Sequence, residues 1–580
     1  MLKGLLQMLA RRTSSARPHT EDTAAAGRGA DKAVKLYQSG DQTAAEALCR
    51  AALAMDPRQA RAWSVLARIA LDDKQPERAL ECYAHILELH PDDPEYLVDA
   101  GEVNRRVGHL NRALQLTAHA LGLQPQDSRA WRVRRMALEE LGRLREAVDC
   151  LQHEVQIEPG NIVAHSDLLF LLNRAGVADA PQVLAEHRAW AAAHADQLTL
   201  AASTATNSPQ PERTLRIGYV SADFRRHAVA YFIEPALRLH DRTRHQVFCY
   251  FNWERSDEMT QRLRGLADCW RDIALLSDDD AARLIRDDRI DILIDLSGHT
   301  LGNRLLLFAR KPAPLQATWL GYLGTTGMRA MDYLITDACA DPPGVADADY
   351  SETLLRLPRC RWCYQPPVEA PAVGALPAAA RGFVTFGSFN NFSRLSEETL
   401  HAWGRLLQRL PSAKLRVIGV AAGESCDRML EILEEEGVFA ERVDTMGRLP
   451  YAAYLEQYGE VDIALDAYPY NGATTICESL WMGVPVVSRC GHGGAARSGA
   501  SILTNAGLAQ LVAQSWAIYV DIAQGLAAGV EALALMRASL RQRLRESPLM
   551  DAPGFTRDLE SAYREAWRGW CARATGASRV

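Results

Sequence analysis

The densest group of reactive side chains lies in PYNGATTICESLWMGVPVV (469–487), just after an aspartate-bearing run that spans Asp462 and Asp466. Gly472 and Ala473 lead into Thr474 and Thr475, where apolar residues begin to recur at helical spacing. A helix start there offers free backbone N–H groups, the positive end of the dipole and two hydroxyls, which together suit a diphosphate. Glu478, one turn further, could accept hydrogen bonds from a ribose diol; ordinary N-capping by Thr474 is the competing reading. A second group is FGSFNNFSRL (386–395), where Asn390, Asn391, Ser393 and Arg394 sit on a turn leaving a strand. Arg394 would either grip a phosphate through two parallel hydrogen bonds or be a solvated surface charge. A third is SADFRRHAVAYF (221–232), in which His227 could act as a base or hold a hydroxyl, with Arg225 and Arg226 adding positive potential. A fourth pairs DLSGHTLGNR (295–304) with PAPLQATWLGYLGTTG (312–327). There Gly321, Gly324 and Gly327, with Thr325 and Thr326, make a small-residue loop that a ligand can approach closely.

Other chemistries are poorly served. The glycines after 320 do not form G-x-G-x-x-G at the opening of a first helix, and no Walker lysine follows a glycine-rich loop. Asp347 and Asp349 suggest a metal-binding acidic pair, but they fall in a Pro/Gly/Ala loop with no strand before it. Cys360 and Cys363 form a lone C-x-x-C; a structural zinc needs four ligands, so the twelve cysteines read as reduced thiols.

Two kinds of element must position these groups. From 214 onward, short β-rich runs alternate with helices: 214–224, 246–253, 290–298, 315–322 and 332–336. After a Pro/Ala-rich break at 365–382 come 383–389, 414–420, 442–447, 462–468 and 485–489. Continuous apolar runs bounded by turns predict parallel strands buried on both faces. This gives two α/β units, 214–375 and 382–573, the second closed by an aromatic helix. Ligands of such sheets bind at the carboxyl ends of the strands, so the expected site is the cleft between the units.

The first part of the chain follows another rule. Pro57, Pro91, Pro125 and Pro159 are spaced 34 residues apart; Ala45, Ala79, Ala113 and Ala147 precede them in phase, as do Gly40, Lys74, Gly108 and Gly142. Trp63 and Trp131 stand six residues after the first and third prolines. That period predicts stacked helix pairs, a tetratricopeptide-type solenoid over 30–198, whose concave face suits protein partners. A spacer or dimer arm, with a homodimer formed through the repeats, is the alternative. Residues 1–29 read as a disordered or amphipathic lead-in, and 199–213 as a linker.

Lys+Arg 65 against Asp+Glu 72 gives a net charge of −7, which argues against nucleic acid as the main partner. No run reaches the roughly 18 apolar residues of a membrane span, and a cytoplasmic location is expected.

Taken in order, the repeats, IGYVSADFRRHAV, DLSGHT, KPAPLQATWLGYLGTTG, MDYLITD, FGSFNNFSRL, LDAYPYNGATTICESLWMGVPVV and the aromatic helix near Tyr563 and Trp570 resemble the O-GlcNAc transferase and SPINDLY family, over about 35–573. The resemblance implies a GT-B fold of two Rossmann-like lobes preceded by repeats. It also implies inverting, metal-independent transfer of a sugar from a nucleotide-sugar donor to Ser or Thr hydroxyls of proteins, with no cofactor. By the same resemblance His227 lies at the reacting centre, and Asn391 and Arg394 hold the diphosphate. Thr474 and Thr475 start the phosphate-binding helix, Glu478 meets the ribose, and Leu320 and Gly321 offer backbone near the sugar. The family often has lysine at the position of Arg394. Ala473 and Tyr454 stand where O-GlcNAc transferase has histidines, a drift toward SPINDLY, whose donor is GDP-fucose. UDP-GlcNAc is the expected donor and GDP-fucose the alternative. Two further readings are a degenerate repeat scaffold that only binds partners, and a nucleotide-sugar epimerase; epimerases do not usually carry repeat arms.

Overall fold

The computed structural model describes residues 20–200 and 207–576. The chain forms two compact units, one through Leu138 and one from Glu139 onward.

The first unit is helical. Residues 1–19 of the expected lead-in lie outside the described residues, whereas 20–29 begin the helix Thr20–Gln38. Helices Gln42–Met55, Ala60–Asp72, Pro76–Leu89, Pro94–Arg106 and Leu110–Leu123 follow. Pro57, Pro91 and Pro125 each stand two residues past a helix end, where a residue without an N–H costs no helical bond. The phased alanines Ala45, Ala79 and Ala113 are fully buried between helices. The phased turn position is left-handed in every repeat: Gly40, Gly108 and even Lys74, at φ 58°. The tryptophan period has its own cause, for Trp63 and Trp131 each donate Nε1–H to the carbonyl of the proline six residues earlier, at 3.0 Å.

The second unit opens with helices Leu144–Ile157, Ile162–Ala175 and Ala180–His194. The expected linker is tied down where it is described. Asn207 Nδ2 donates to Asp291 Oδ1 at 2.7 Å, and Arg213 Nη1 donates to Asp291 Oδ2 at 2.7 Å. Residues 201–206 lie outside the described residues.

Two separate, wholly parallel sheets follow. The first is seven-stranded, in the order β3-β2-β1-β4-β5-β6-β7. Its strands are β1 Leu215–Ser221, β2 His245–Phe251, β3 Cys269–Asp272, β4 Ile292–Asp295, β5 Leu315–Thr318, β6 Tyr333–Asp337 and β7 Thr353–Leu357. The second is six-stranded, in the order β10-β9-β8-β11-β12-β13. It comprises β8 Thr385–Ser388, β9 Lys414–Ile418, β10 Val443–Met446, β11 Ile463–Leu465, β12 Val486–Arg489 and β13 Val512–Ala513. The sequence reading lacks β3, β7 and β13. All three are edge strands; β3 and β7 are half-exposed and β13 has two residues, so none carries a buried apolar run. Strand order reverses at β1/β4 in one sheet and at β8/β11 in the other, and crevices open beyond the carboxyl ends of these strands.

The last helix, Ala552–Ala574, returns to the first lobe. Trp567 is fully buried and donates to the Gln210 carbonyl at 3.0 Å. Glu560 accepts from Asp241 N at 2.8 Å and lies 2.9 Å from His240 Nδ1. Among the described residues no single helix is long and apolar enough to cross a membrane.

Candidate active site

The four reactive segments follow β1, β4/β5, β8 and β11, so the two strand-order reversals bring them to one cleft. The helix Ala473–Trp481 begins at Gly472 with no side chain capping it. N-capping by Thr474 is therefore not what the structure shows, and the Thr474 hydroxyl has no hydrogen-bond partner among the described residues. Its neighbour Thr475 donates Oγ1–H to Asn390 Oδ1 at 3.1 Å. Gly472 N–H is held by Asp466 Oδ1 at 2.9 Å, and Asp466 Oδ2 takes a 2.6 Å bond from Ser488. Burial pushes the Asp466 carboxyl up to about 6, against the pull of these bonds and of the Arg394 charge. A Cβ at 472 would overlap Thr475 Oγ1 and Asn390 Oδ1, so only glycine lets the loop meet the helix this closely.

Arg394 ends the turn Phe392–Arg394 after β8. Its guanidinium lies 4.9 Å over the Tyr470 ring. It has no carboxylate partner among the described residues and stands close enough to Asp466 and His227 to influence both. An unpaired guanidinium and an uncapped helix start are both groups that suit an anion. Asn391 is exposed at the rim, and its Oδ1 accepts from Ser393 N at 3.2 Å within its own turn. The buried amide is that of Asn390, which holds the helix start; its place on the turn after β8 shows in the sequence, but its inward role does not.

His227 caps the helix Ala228–Leu239. Its Nδ1 lies 3.4 Å from Val229 N and 3.4 Å from Asp223 Oδ2. These contacts exclude one another. An unprotonated Nδ1 accepts from Val229, whereas a protonated one donates to Asp223 and leaves Nε2 basic. Burial lowers the imidazole pKa; Asp223 opposes that, and Arg225 and Arg394 add to it. The ring is thus neutral near pH 7 and suited to take a proton.

At the other end of the cleft, Leu320 adopts φ 77°, and a Cβ at Gly321 would overlap the Leu296 carbonyl. The loop after β5 is thereby pressed onto the end of β4. Tyr322, two residues on, anchors it. Asn173 Nδ2 donates to the Tyr322 hydroxyl at 2.5 Å, His187 Nε2 lies 2.7 Å from it, and the hydroxyl is 3.2 Å from the Leu169 carbonyl. Burial holds His187 down at about 4, so it is neutral. These residues join the sequence-distant helices at 162–194 to the loop, and no spacing in the chain announces the pairing. Beside this junction is a cavity of about 470 Å³ lined by Asn173, Gly176, Gly324, Asp349, Arg489 and His492 among others.

Glu478 is 4% exposed, with Tyr451 donating to Oε1 at 2.7 Å and Tyr454 to Oε2 at 3.0 Å, and Tyr458 beside them. The Asp347 carboxylate is engaged by Arg356 at 2.8 Å and Gly344 N at 2.7 Å. Cys360 and Cys363 are buried free thiols, the latter pushed up to about 12 by burial.

Two separate parallel sheets with crevices at their strand-order reversals have the GT-B architecture. Residues 169–363 and 371–559 match Glycosyl transferase family 41, and 36–97 match the tetratricopeptide repeat. The chain belongs to glycosyl transferase family 41. It is 43% identical over 374 residues to the probable UDP-N-acetylglucosamine–peptide N-acetylglucosaminyltransferase SPINDLY of Solanum lycopersicum, covering 63% of this chain and 40% of that protein. It is 30% identical over 371 residues to the probable UDP-N-acetylglucosamine–peptide N-acetylglucosaminyltransferase SEC of Arabidopsis thaliana, 62% of this chain and 38% of that one. A mutant O-GlcNAc transferase of Thermobaculum terrenum shares the fold, with TM-score 0.78 and 38% identity over 89% of this chain and 98% of that chain. The matched region is about two-fifths of the length of the plant relatives.

Proposed function

We propose that this chain is a protein O-glycosyltransferase. In this reading it moves GlcNAc from UDP-GlcNAc to Ser or Thr hydroxyls, with inversion and without a divalent metal. The observation that carries the reading is Arg394, without a carboxylate partner among the described residues and near Asp466, which holds Gly472 N–H at the uncapped start of the helix Ala473–Trp481. As the sugar–oxygen bond breaks, charge develops on the diphosphate, and Arg394, the 473–475 N–H groups and Thr474 stabilise it where other transferases use a metal. The acceptor hydroxyl attacks the opposite face of the sugar and gives its proton to His227 Nε2, while Asp223 steadies the imidazolium. The backbone at Leu320 and Gly321 borders the sugar. The cavity at Asn173 and Gly324 admits the acceptor polypeptide, which the repeats bring in. The names of the plant relatives and of the Thermobaculum enzyme support GlcNAc as the sugar.

Ala473 and Tyr454, at positions where O-GlcNAc transferase has histidines, favour GDP-fucose as the second reading. The test is a panel of labelled UDP and GDP sugars with protein acceptors in excess EDTA. Transfer from UDP-GlcNAc supports the first reading and transfer from GDP-fucose the second. Activity that collapses in EDTA and returns with manganese removes the metal-free mechanism, and absence of transfer from every sugar leaves a binding scaffold. A cytoplasmic location and a homodimer formed through the repeats belong to the same proposal.

A further inference from the structure

We propose that His240, His245 and Glu560 bind one divalent transition-metal ion of the zinc class, which ties the C-terminal helix to the first lobe. The site lies outside the cleft and does not depend on the donor reading above.

The three residues come from three elements. His240 follows the helix Ala228–Leu239, His245 opens β2, and Glu560 lies on the helix Ala552–Ala574. The turn between the histidines is set by Asp241, whose carbonyl accepts from Arg244 N at 3.0 Å and His245 N at 2.9 Å. Both rings are buried, and the Glu560 side chain is 14% exposed. Glu560 Oε1 lies 2.9 Å from His240 Nδ1 and 3.1 Å from His245 Nδ1. One ligand atom of each residue falls within 4.8 Å of the other two, and no other trio of His, Cys, Asp or Glu is grouped this way among the described residues. Atoms bound to one zinc ion at about 2.0–2.2 Å stand about 3.3–3.6 Å apart, so these contacts need to open by only about half an ångström to admit one.

Ion pairing alone leaves one group unexplained. His240 is well served, with Nδ1 at Glu560 and Nε2 at 2.8 Å from the Tyr219 hydroxyl. Neither ring nitrogen of His245 has a hydrogen bond, because Glu560 Oε1 is near Nδ1 but out of line with it. A buried polar ring without a partner is costly, and a bound ion removes that cost. Glu560 Oε1 keeps the Asp241 N–H at 2.8 Å, while Oε2 takes no hydrogen bond among the described residues and has lone pairs to give. With Nδ1 of His240 on the ion, Nε2–H donates to the Tyr219 oxygen. That is the outer partner which fixes the ring and tautomer of a metal-bound histidine.

The site also has a way in. His245 and Glu560 line a cavity of about 510 Å³. Its arginines are turned to other partners or to water. Arg564 donates to the carbonyls of Pro211 and Arg213 at 2.7 and 2.8 Å, Arg568 donates to Glu212 at 2.6 Å, Arg244 stands 3.7 Å from the same carboxylate, and Arg557 is exposed. Two imidazoles and a carboxylate, with a fourth position open to water from the cavity, make an open zinc site. The helix Ala228–Leu239 has 12 residues, so the ion lies roughly 18 Å from the cap His227 and serves the packing of Ala552–Ala574, not the reaction.

Calorimetry and thermal melts with zinc, and absorption with cobalt(II), test this on the full chain after treatment with chelator. Wild type should bind a zinc equivalent that His245→Gln and Glu560→Gln each weaken at least about 100-fold, beyond the 10–100-fold cost of losing an outer partner. Tyr219→Phe, which removes such a partner, should cost about tenfold. Zinc should raise the melting midpoint of wild type and of neither ligand variant. Cobalt at this site should show visible bands without the near-ultraviolet charge transfer of thiolate ligands. Manganese favours oxygen ligands and should not replace zinc, so this test and the EDTA test of the reaction stay distinct. Absence of zinc binding by wild type, undiminished binding by both ligand variants, or thiolate charge transfer at this equivalent overturns the proposal. If Glu560→Gln fails to fold, His245→Gln decides alone, because its ring has no hydrogen bond to lose.

Discussion

At the scale of single residues, the arrangement around Arg394 separates a ligand from a surface charge. A surface arginine pairs with whatever carboxylate is near. Arg394 instead rests on Tyr470 and has no carboxylate partner among the described residues. Arg394→Ala should lower kcat about 10²–10³-fold, roughly 2–4 kcal/mol of transition-state stabilisation, and Arg394→Lys should restore part of it because the charge survives and the fork does not. Turnover within a few-fold of wild type in Arg394→Ala would remove the residue from the mechanism. For His227, burial sets the sign of the pH effect. Its pKa lies below the ordinary 6.5, so the acid limb of the rate profile should fall below that value. Asp223 is the group that raises the imidazole pKa. Asp223→Asn should therefore move the limb to still lower pH while also lowering kcat, because the imidazolium loses its partner. An upward move would show that Asp223 does not face the ring.

At the scale of elements, the loop before Ala473–Trp481 is built around one missing side chain. Gly472→Ala should push Asn390 and Thr475 aside and cut nucleotide affinity by about tenfold or more, with the rest of the fold intact. Titration with UDP and GDP beside a thermal melt checks both halves of that statement. In the repeats it is a backbone conformation, not a close approach, that favours glycine. Lys74 carries a left-handed conformation that its counterparts Gly40 and Gly108 adopt without strain. Lys74→Gly should stabilise the helical unit by up to about 1 kcal/mol, read as a higher denaturant midpoint. A lower midpoint would mean that the lysine side chain contributes more than its backbone costs.

At the scale of the molecule, the repeat period continues past the point where the compact units divide. Helices 162–175 and 180–194 hold the loop after β5 through Asn173, His187 and Tyr322. A chain beginning near residue 139 should therefore bind nucleotide as the full protein does but modify whole proteins poorly, because it lacks the concave surface that concentrates them. A chain beginning near 200 should lose thermal stability and nucleotide affinity together, since the Tyr322 hydroxyl, its Leu169, Asn173 and His187 partners gone, is left buried and unpaired. Equal behaviour of the two shortened chains in melting and calorimetry would contradict this division of labour.

Much of this was legible in the chain itself, because it depends on neighbours in sequence. The 34-residue phase of proline, alanine and left-handed turn follows from helix geometry repeated locally. The buried strands show as apolar runs, and Arg394, His227, Thr474 and Thr475 stand beside the strand ends that carry them. What depends on distant pairs was not legible. Edge strands β3 and β7 are held by partners rather than by their own burial. Asn390, not Asn391, turns inward, because Thr475 arrives from 85 residues away. Glu478 faces tyrosines because the helix Tyr451–Glu456 folds over it. Sequence determined which residue types were available at the cleft. Only the tertiary structure decided which carried a free charge and which had already spent their hydrogen bonds on the protein, since burial and pairing belong to the packed chain and not to any segment of it.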